Sequence, residues 1–267
     1  MSDMPFTECE RGGVVYMTAP NLDVTHAFTT RMGGVSEGVY ASLNLGENRG
    51  DEPERVRRNY ELLGNALGFD YKNIVFTRQV HGNAVRVVSS LDRHELFSPV
   101  PYEADGLITN EKNVPLIIFT ADCTPILMYD SVRQVIAAVH AGWRGTVQNI
   151  AGAAVARMRD EFGCAPEDIR AAIGPCISQC CFETGCEVPE AMEKCAAGAE
   201  GFYSRKGGGK YMVDLKGFNG YLLTLAGLRE ENIAVSQECT MCSHDKYWSH
   251  RYTKGIRGSQ ASVIVLR

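Results

Sequence analysis

Three segments of the chain carry a metal-binding or nucleophilic side chain just after an apolar, strand-like run. Residues 74–77 lead into Arg78-Gln79-Val80-His81-Gly82, residues 114–119 into Thr120-Ala121-Asp122-Cys123-Thr124-Pro125, and residues 135–139 into His140-Ala141-Gly142-Trp143-Arg144-Gly145-Thr146. Two imidazoles and one thiolate, from His81, His140 and Cys123, suit Zn²⁺ with a fourth position open for water or substrate. Cys123 lies 42 residues after His81 and 17 before His140, spacings that belong to no short metal signature. On the residues alone, a buried thiol and two hydrogen-bonded histidines are the plainer reading. The third segment also joins a strand, a glycine-bearing turn and a helix start, which can aim backbone N–H groups and a positive dipole end at an anion. Arg144 would add a planar fork suited to phosphate or carboxylate. The competing reading is a tight turn with Arg144 in a surface ion pair.

A second set of residues is the run of cysteines at positions 176, 180, 181, 186, 195, 239 and 242. Cys239-Thr240-Met241-Cys242 has the spacing of half a structural zinc site, and the earlier run could supply the other half. That earlier run has no paired C-x-x-C, so buried thiols are the favoured reading. Two amino-terminal turns, Thr29-Thr30-Arg31-Met32-Gly33-Gly34-Val35-Ser36 and Ser42-Leu43-Asn44-Leu45-Gly46, are weak signals by themselves.

These residues need a scaffold, and the chain is long enough to supply one. Its 267 residues are 45% apolar and 22% charged, the balance of an ordinary globular protein. The 27 basic and 32 acidic side chains leave a net charge of −5, which argues against a basic nucleic-acid surface. No apolar run reaches the roughly 20 residues that span a bilayer. Residues 1–11 lack the charged and apolar regions of a signal peptide, so a cytoplasmic location with reduced thiols is expected.

Strands are expected at residues 14–17, 26–30, 74–77, 84–88, 114–119, 126–129, 135–139, 169–173, 233–236 and 262–266. Helices are expected from Pro53 to Leu67, through residues 147–158 to Gly163, and from an Asp214 cap to Gly227. Strands outnumber helices without alternating strictly with them. That predicts an α+β fold, a single domain of mixed β-sheets flanked by helices.

Taken together, the motifs occur in an order that is itself informative. Thr30-Arg31-Met32-Gly33-Gly34-Val35-Ser36, Ser42-Leu43-Asn44-Leu45-Gly46, Gln79-Val80-His81-Gly82, Ala104-Asp105-Gly106-Leu107, Ala121-Asp122-Cys123-Thr124-Pro125-Ile126, His140-Ala141-Gly142-Trp143-Arg144-Gly145 and Ile173-Gly174-Pro175-Cys176-Ile177 follow one another. The chain thereby resembles the laccase-domain, polyphenol-oxidase-like (YfiH-like) proteins, whose bacterial members are also described as purine nucleoside phosphorylases. The resemblance runs from about residue 29 to the C-terminus and implies the YfiH-like α+β fold. It implies that His81, Cys123 and His140 converge on one metal, usually taken as zinc, with copper as the alternative. It lifts Arg31, Asn44 and Arg144 to substrate-binding candidates, and Cys123, His140, Arg144 and Asp122 to catalytic ones. Asp105, Glu183 and Asp214 fall in family motifs without a defined role.

The implied activity is phosphorolysis of purine nucleosides (adenosine, inosine, guanosine, methylthioadenosine) with inorganic phosphate, together with adenosine deamination. Phosphate would sit near Arg144 and Arg31, and Asp122 beside Cys123 would serve as acid–base group. Partners are thus small molecules, with no nucleic acid or membrane expected. The family pattern Phe-Phe-Ser-Tyr-Arg-Arg-Asp-Gly is broken near the end, where Tyr247-Trp248-Ser249-His250-Arg251-Tyr252-Thr253-Lys254 keeps Ser249 and Arg251 but replaces the second Arg and the Asp; His250 reads as a surface side chain. Copper-dependent polyphenol oxidation would need many histidines in paired segments, and the chain has six with no His-x-His. A cysteine hydrolase with Cys123 as nucleophile, of the kind linked to peptidoglycan-precursor editing, is a further alternative, as is a binding module without turnover.

Overall fold

The structure is a computed structural model that describes residues 5–267. Residues 1–4, part of the stretch read for a signal peptide, lie outside it. In chain order the strands are β1 (Thr7–Arg11), β2 (Val14–Thr18), β3 (Thr25–Thr29), β4 (Val85–Val87), β5 (Gly106–Thr109), β6 (Leu116–Thr120) and β7 (Thr124–Asp130). They continue as β8 (Val135–Ala141), β9 (Ile169–Ile173), β10 (Glu183–Thr184), β11 (Tyr203–Gly207), β12 (Lys210–Val213), β13 (Ile233–Val235) and β14 (Gln260–Val265). The helices are α1 (Pro53–Leu67), α2 (Trp143–Val147), α3 (Ile150–Phe162), α4 (Glu187–Cys195), α5 (Leu215–Leu225) and α6 (His250–Thr253).

Two large sheets stack face to face. One is antiparallel in the order β1-β2-β3-β14-β6, and the other is mixed in the order β13-β9-β7-β8-β5-β4. Side-chain alternation along buried strands builds the layers. In β8, Val135, Ala137 and Val139 face the helices α3 and α5, while Ile136 and Ala138 face the other sheet. In β6, Leu116 and Ile118 point between the sheets and Ile117 points outward to the Leu63 and Tyr60 face of α1. The order of layers is therefore α1, sheet, sheet, helices. Every residue of β7 and β8 is buried, as their continuous apolar runs predict.

The expected α+β class and most of the elements hold. Pro53 opens α1 and Gly68 closes it in the left-handed conformation. Asp214 caps α5 by accepting the Gly217 N–H at 3.0 Å. Two expectations change, and one sheet was not anticipated. The helix through residues 147–158 is two helices, because Asn149 takes a left-handed backbone (φ 56°) and caps α3 through Gly152 N–H. Residues 74–77 form no strand: their apolar side chains are buried, but pairing is limited to a bridge between Val75 and Leu116. The three-stranded sheet β10-β12-β11, closed by the Gly207-Gly208-Gly209 turn, has too polar a sequence to signal strands. Among the described residues no helix is long and apolar enough to cross a membrane.

Candidate functional site

Strand register assembles the site at the ends of the interior strands β7, β8 and β5 of the mixed sheet. Pro125 of β7 pairs with His140 of β8, which sets Cys123, two residues earlier, beside the end of β8. Gly106 of β5 pairs with Val139, so one further step brings Asp105 opposite His140. The His140 N–H donates to the Asp105 carbonyl at 2.7 Å, and His140 Nδ1 lies 2.7 Å from Asp105 Oδ1. The Asp105 carboxylate also accepts the backbone N–H groups of Val80, His81 and Gly82 at 3.1, 3.0 and 2.8 Å. One buried carboxylate thus fixes both histidines: the ring of His140 directly, and the loop of His81 through its backbone, which is left-handed at His81 (φ 61°).

The result brings the three donor atoms of His81, Cys123 and His140 within 4.8 Å of one another. His81 Nε2 lies 3.9 Å from Cys123 Sγ, and the two imidazole rings meet edge to face at 4.8 Å. With Nδ1 of His140 committed to Asp105, its Nε2 is left to face a ligand, the arrangement that orients metal-binding histidines. Gly142 closes the cradle. A Cβ there would come within 2.8 Å of His81 Cδ2 and 3.3 Å of Cys123 Sγ. The donor set and its supporting carboxylate fit a borderline-soft divalent metal.

The electrostatics of the group follow from its geometry. Burial raises the Cys123 thiol, but the charge and hydrogen bond of His140, joined by those of His81, outweigh it and bring the thiol down to about 6. Burial lowers His140, yet the Cys123 charge and the Asp105 hydrogen bond together carry it up to about 9. Asp105 is also buried, which raises its carboxyl, and the bonds from His140 and the Gly82 N–H more than reverse that. Without a metal, the trio is a thiolate–imidazolium pair held by a carboxylate.

A cavity of about 390 Å³ opens over His81, Cys123 and His140. Phe76 and Phe119, packed edge to face at 5.1 Å, form its apolar wall, and Arg49 and Arg257 bring positive charge, while Arg78 is ion-paired with Glu103. Two side-chain atoms on this wall, Thr120 Oγ1 and Arg257 Nε, are buried without a protein hydrogen-bond partner. Burial and the charge of Arg49 push the Arg257 guanidinium down to about 10, still cationic at neutral pH. Buried polar atoms of this kind require a polar partner from a ligand or water.

Residues 25–267 match the family described as multi-copper polyphenol oxidoreductase laccase. The chain is 35% identical over 250 residues to the purine nucleoside phosphorylase YlmD of Bacillus subtilis (strain 168), covering 92% of this chain and 90% of the relative. The crystal structure of Bacillus licheniformis hypothetical protein YfiH superposes with a TM-score of 0.93 at 33% identity, over 98% of this chain and 99% of that one. The chain belongs to this laccase-like YfiH family. It is also 36% identical over 239 residues to a protein named adenosine deaminase RL5 from an unknown prokaryotic organism, covering 87% of this chain and 90% of that one.

Within this YfiH-family fold, the other candidates read from sequence, Arg31, Asn44, Asp122 and Arg144, are not among the residues that line the cavity. The Arg31 guanidinium donates to the Ala41 carbonyl at 2.7 and 3.0 Å and to the His244 carbonyl at 3.0 Å, and it stacks on Trp248. Asn44 is fully buried; its amide donates to Asp51 and its carbonyl oxygen accepts the N–H groups of Gly46 and Ser259. Both residues hold loops together. Arg144 is exposed on α2 and lies over its neighbour Trp143 at 4.3 Å. Both Asp122 oxygens are engaged, Oδ1 by the Thr240 hydroxyl at 2.7 Å and Oδ2 by the Arg251 N–H at 2.6 Å. Its carboxylate is therefore a clamp rather than a free acid–base group.

Glu183 ion-pairs with Lys206 at the surface, and Asp214 is the α5 cap. His250 is exposed at the start of α6, as expected. Sequence reasoning named neither Arg49, three residues past the Ser42–Gly46 motif, nor Arg257, in the Ile256-Arg257-Gly258 turn, as a site residue, and it left Asp105 without the role that register gives it.

Proposed function

We propose that this chain is a zinc-dependent purine nucleoside phosphorylase, acting on adenosine, inosine, guanosine and methylthioadenosine, with adenosine deamination as a second reaction at the same site. The observation that carries the reading is the His81–Cys123–His140 group on the wall of a cavity that also holds Arg257 with an unpartnered Nε. The names of the YlmD and RL5 relatives support the two activities.

In this reading Arg257 and Arg49 receive inorganic phosphate, replacing Arg144 and Arg31 in that role, because their charge is spent on the cavity. Held there, a phosphate oxygen forms a bond to ribose C1′ as the bond from C1′ to the purine nitrogen breaks and its electron pair leaves with the base. Such a reaction gains mainly from positioning and from charge stabilisation. Phe76 and Phe119 offer the apolar surface for the purine, and Thr120 Oγ1 a hydroxyl for its polar edge. Asp105 holds the proton on His140 Nδ1, so that His81 Nε2, Cys123 Sγ and His140 Nε2 face the metal. Zinc, when bound, supplies a Lewis acid at the cavity wall.

The His₂Cys set also accepts copper, but the remaining histidines build no oxidase cluster. His26 bonds backbone groups of Ala19 and Val24, His94 pairs with Glu47, His244 stacks on Tyr252, and His250 lies on α6. A cysteine hydrolase is favoured by one observation, the lowered Cys123 thiol beside the His140–Asp105 pair. Iodoacetamide separates it from the metal reading: labelling of Cys123 only after chelation supports zinc, and equal labelling before chelation supports the nucleophile. The deciding assay follows adenosine and inosine with and without phosphate, alongside metal analysis. Phosphate-dependent release of adenine and hypoxanthine is expected, and phosphate-independent inosine from adenosine reports the deaminase. Absence of both reactions in zinc-loaded protein, or full activity in His140→Ala, would sink the proposal.

A further inference from the structure

Two loops outside the cavity bring four more thiols together. The turn after β9 carries Cys180 and Cys181, and the turn after β13 carries Cys239 and Cys242; their four Sγ atoms lie within 4.8 Å of one another. Cys180 and Cys181 are 3.7 Å apart at sulfur, Cys180 and Cys242 3.7 Å, and Cys181 and Cys242 3.4 Å. The edge of a sulfur tetrahedron around Zn²⁺ is about 3.8 Å for a Zn–S bond of about 2.3 Å. We infer that Cys180, Cys181, Cys239 and Cys242 form a second, structural metal site that takes one soft divalent cation, zinc by class, in a tetrahedral thiolate cage.

Two features besides the sulfur spacing support this assignment. Cys239-Thr240-Met241-Cys242 folds as a tight turn, closed by the Ser243 N–H on the Cys239 carbonyl at 3.0 Å. The Ser178 N–H points at Cys239 Sγ at 3.4 Å. Backbone donors of this kind offset the excess negative charge of a four-thiolate site. Each thiol proton passes to buffer as its metal–sulfur bond forms, so affinity rises with pH.

The site has a structural consequence. The Ile177 N–H donates to the Asp122 carbonyl at 3.0 Å, and the Thr240 hydroxyl donates to Asp122 Oδ1 at 2.7 Å. The two cysteine turns therefore grip Asp122, whose backbone is left-handed (φ 83°) and which immediately precedes Cys123. A metal joining the turns clips that grip shut.

The test uses the full chain carrying Cys123→Ser, which disables the first donor set, purified under reducing conditions without chelator. It should retain one zinc per chain, and Cys123→Ser/Cys242→Ser should retain none. Loaded with Co²⁺, the single variant should show the thiolate charge-transfer band and the strong visible bands of a tetrahedral sulfur site. Should the double variant fail to fold, a mercurial titration of Cys123→Ser keeps the question open to refutation: zinc should leave in step with the loss of four thiols, with a lowered melting temperature. Metal-free Cys123→Ser with all its thiols reactive would overturn the site. So would disulfides among these cysteines together with no metal uptake after reduction. Neither result bears on the phosphorolysis reading, because no arm measures activity.

Discussion

Asp105 grips His140 twice, through its carbonyl on the backbone N–H and through its carboxylate on Nδ1, both at 2.7 Å. The first contact is ordinary sheet pairing continued past the end of β5; the second fixes the tautomer. Asp105→Asn keeps the size but places an amide where the carboxylate accepted four N–H groups. The expected outcome is a 10–100-fold loss of metal affinity, the usual effect of removing such a partner, with activity falling in parallel. Metal titration against a competing chelator measures it. Unchanged affinity would show that the His140 ring is held by the strand alone.

Gly142 gives a steric test of the same cradle. In Gly142→Ala the added methyl would approach His81 Cδ2 at 2.8 Å and Cys123 Sγ at 3.3 Å, closer than such contacts normally come. One of the three donors must move, so metal occupancy should fall several-fold while the melting temperature of the metal-free protein changes little. Full occupancy would mean that the loop of His81 absorbs the shift.

Arg257 and Arg144 separate two places for phosphate. Arg257 lines the cavity with Nε unpartnered, whereas Arg144 is exposed over Trp143. Arg257→Met should raise the KM for phosphate by at least an order of magnitude, the loss of a charge-assisted contact. Arg144→Ala should leave it within about two-fold, as expected of an exposed residue. Steady-state phosphorolysis at varied phosphate decides between them, and the reverse pattern would return the anion to the α2 turn.

Much of this architecture was legible in the sequence, and the exceptions share a cause. His140 and Cys123 could be placed at strand ends because β7 and β8 are buried on both faces and read as unbroken apolar runs. That they meet depends on register, and register is set by pairing between segments distant in sequence. The same holds for Asp105, which acts only because Gly106 pairs with Val139. Arg257 and Arg49 reach the cavity from loops whose paths follow from tertiary packing, which their neighbours in sequence do not reveal. Arg31 and Asn44 show the converse. Their motif is real, but the side chains satisfy buried carbonyls and amides of turns, a need that a sequence does not display.

His26 predicts how stability depends on pH, at a distance from the site. Its ring is buried, with Nε2 accepting the Ala19 N–H at 2.8 Å and Nδ1 2.8 Å from the Val24 carbonyl. This arrangement requires the neutral ring, protonated at Nδ1 only. Burial lowers its pKa below the ordinary 6.5, outweighing the bond to the Val24 carbonyl. The unfolded chain therefore takes up a proton on His26 before the folded one does. Its contribution to stability is complete above the unfolded pKa of about 6.5 and is lost as pH falls through the lowered folded value. Urea unfolding between pH 7.5 and 5.5 should show stability falling with a slope that this one group limits to about 1.4 kcal/mol per pH unit. His26→Gln should be less stable than the parent at pH 7.5, and the gap should narrow toward pH 5.5. A gap constant across that range would mean that His26 is charged, or uncharged, equally in both states.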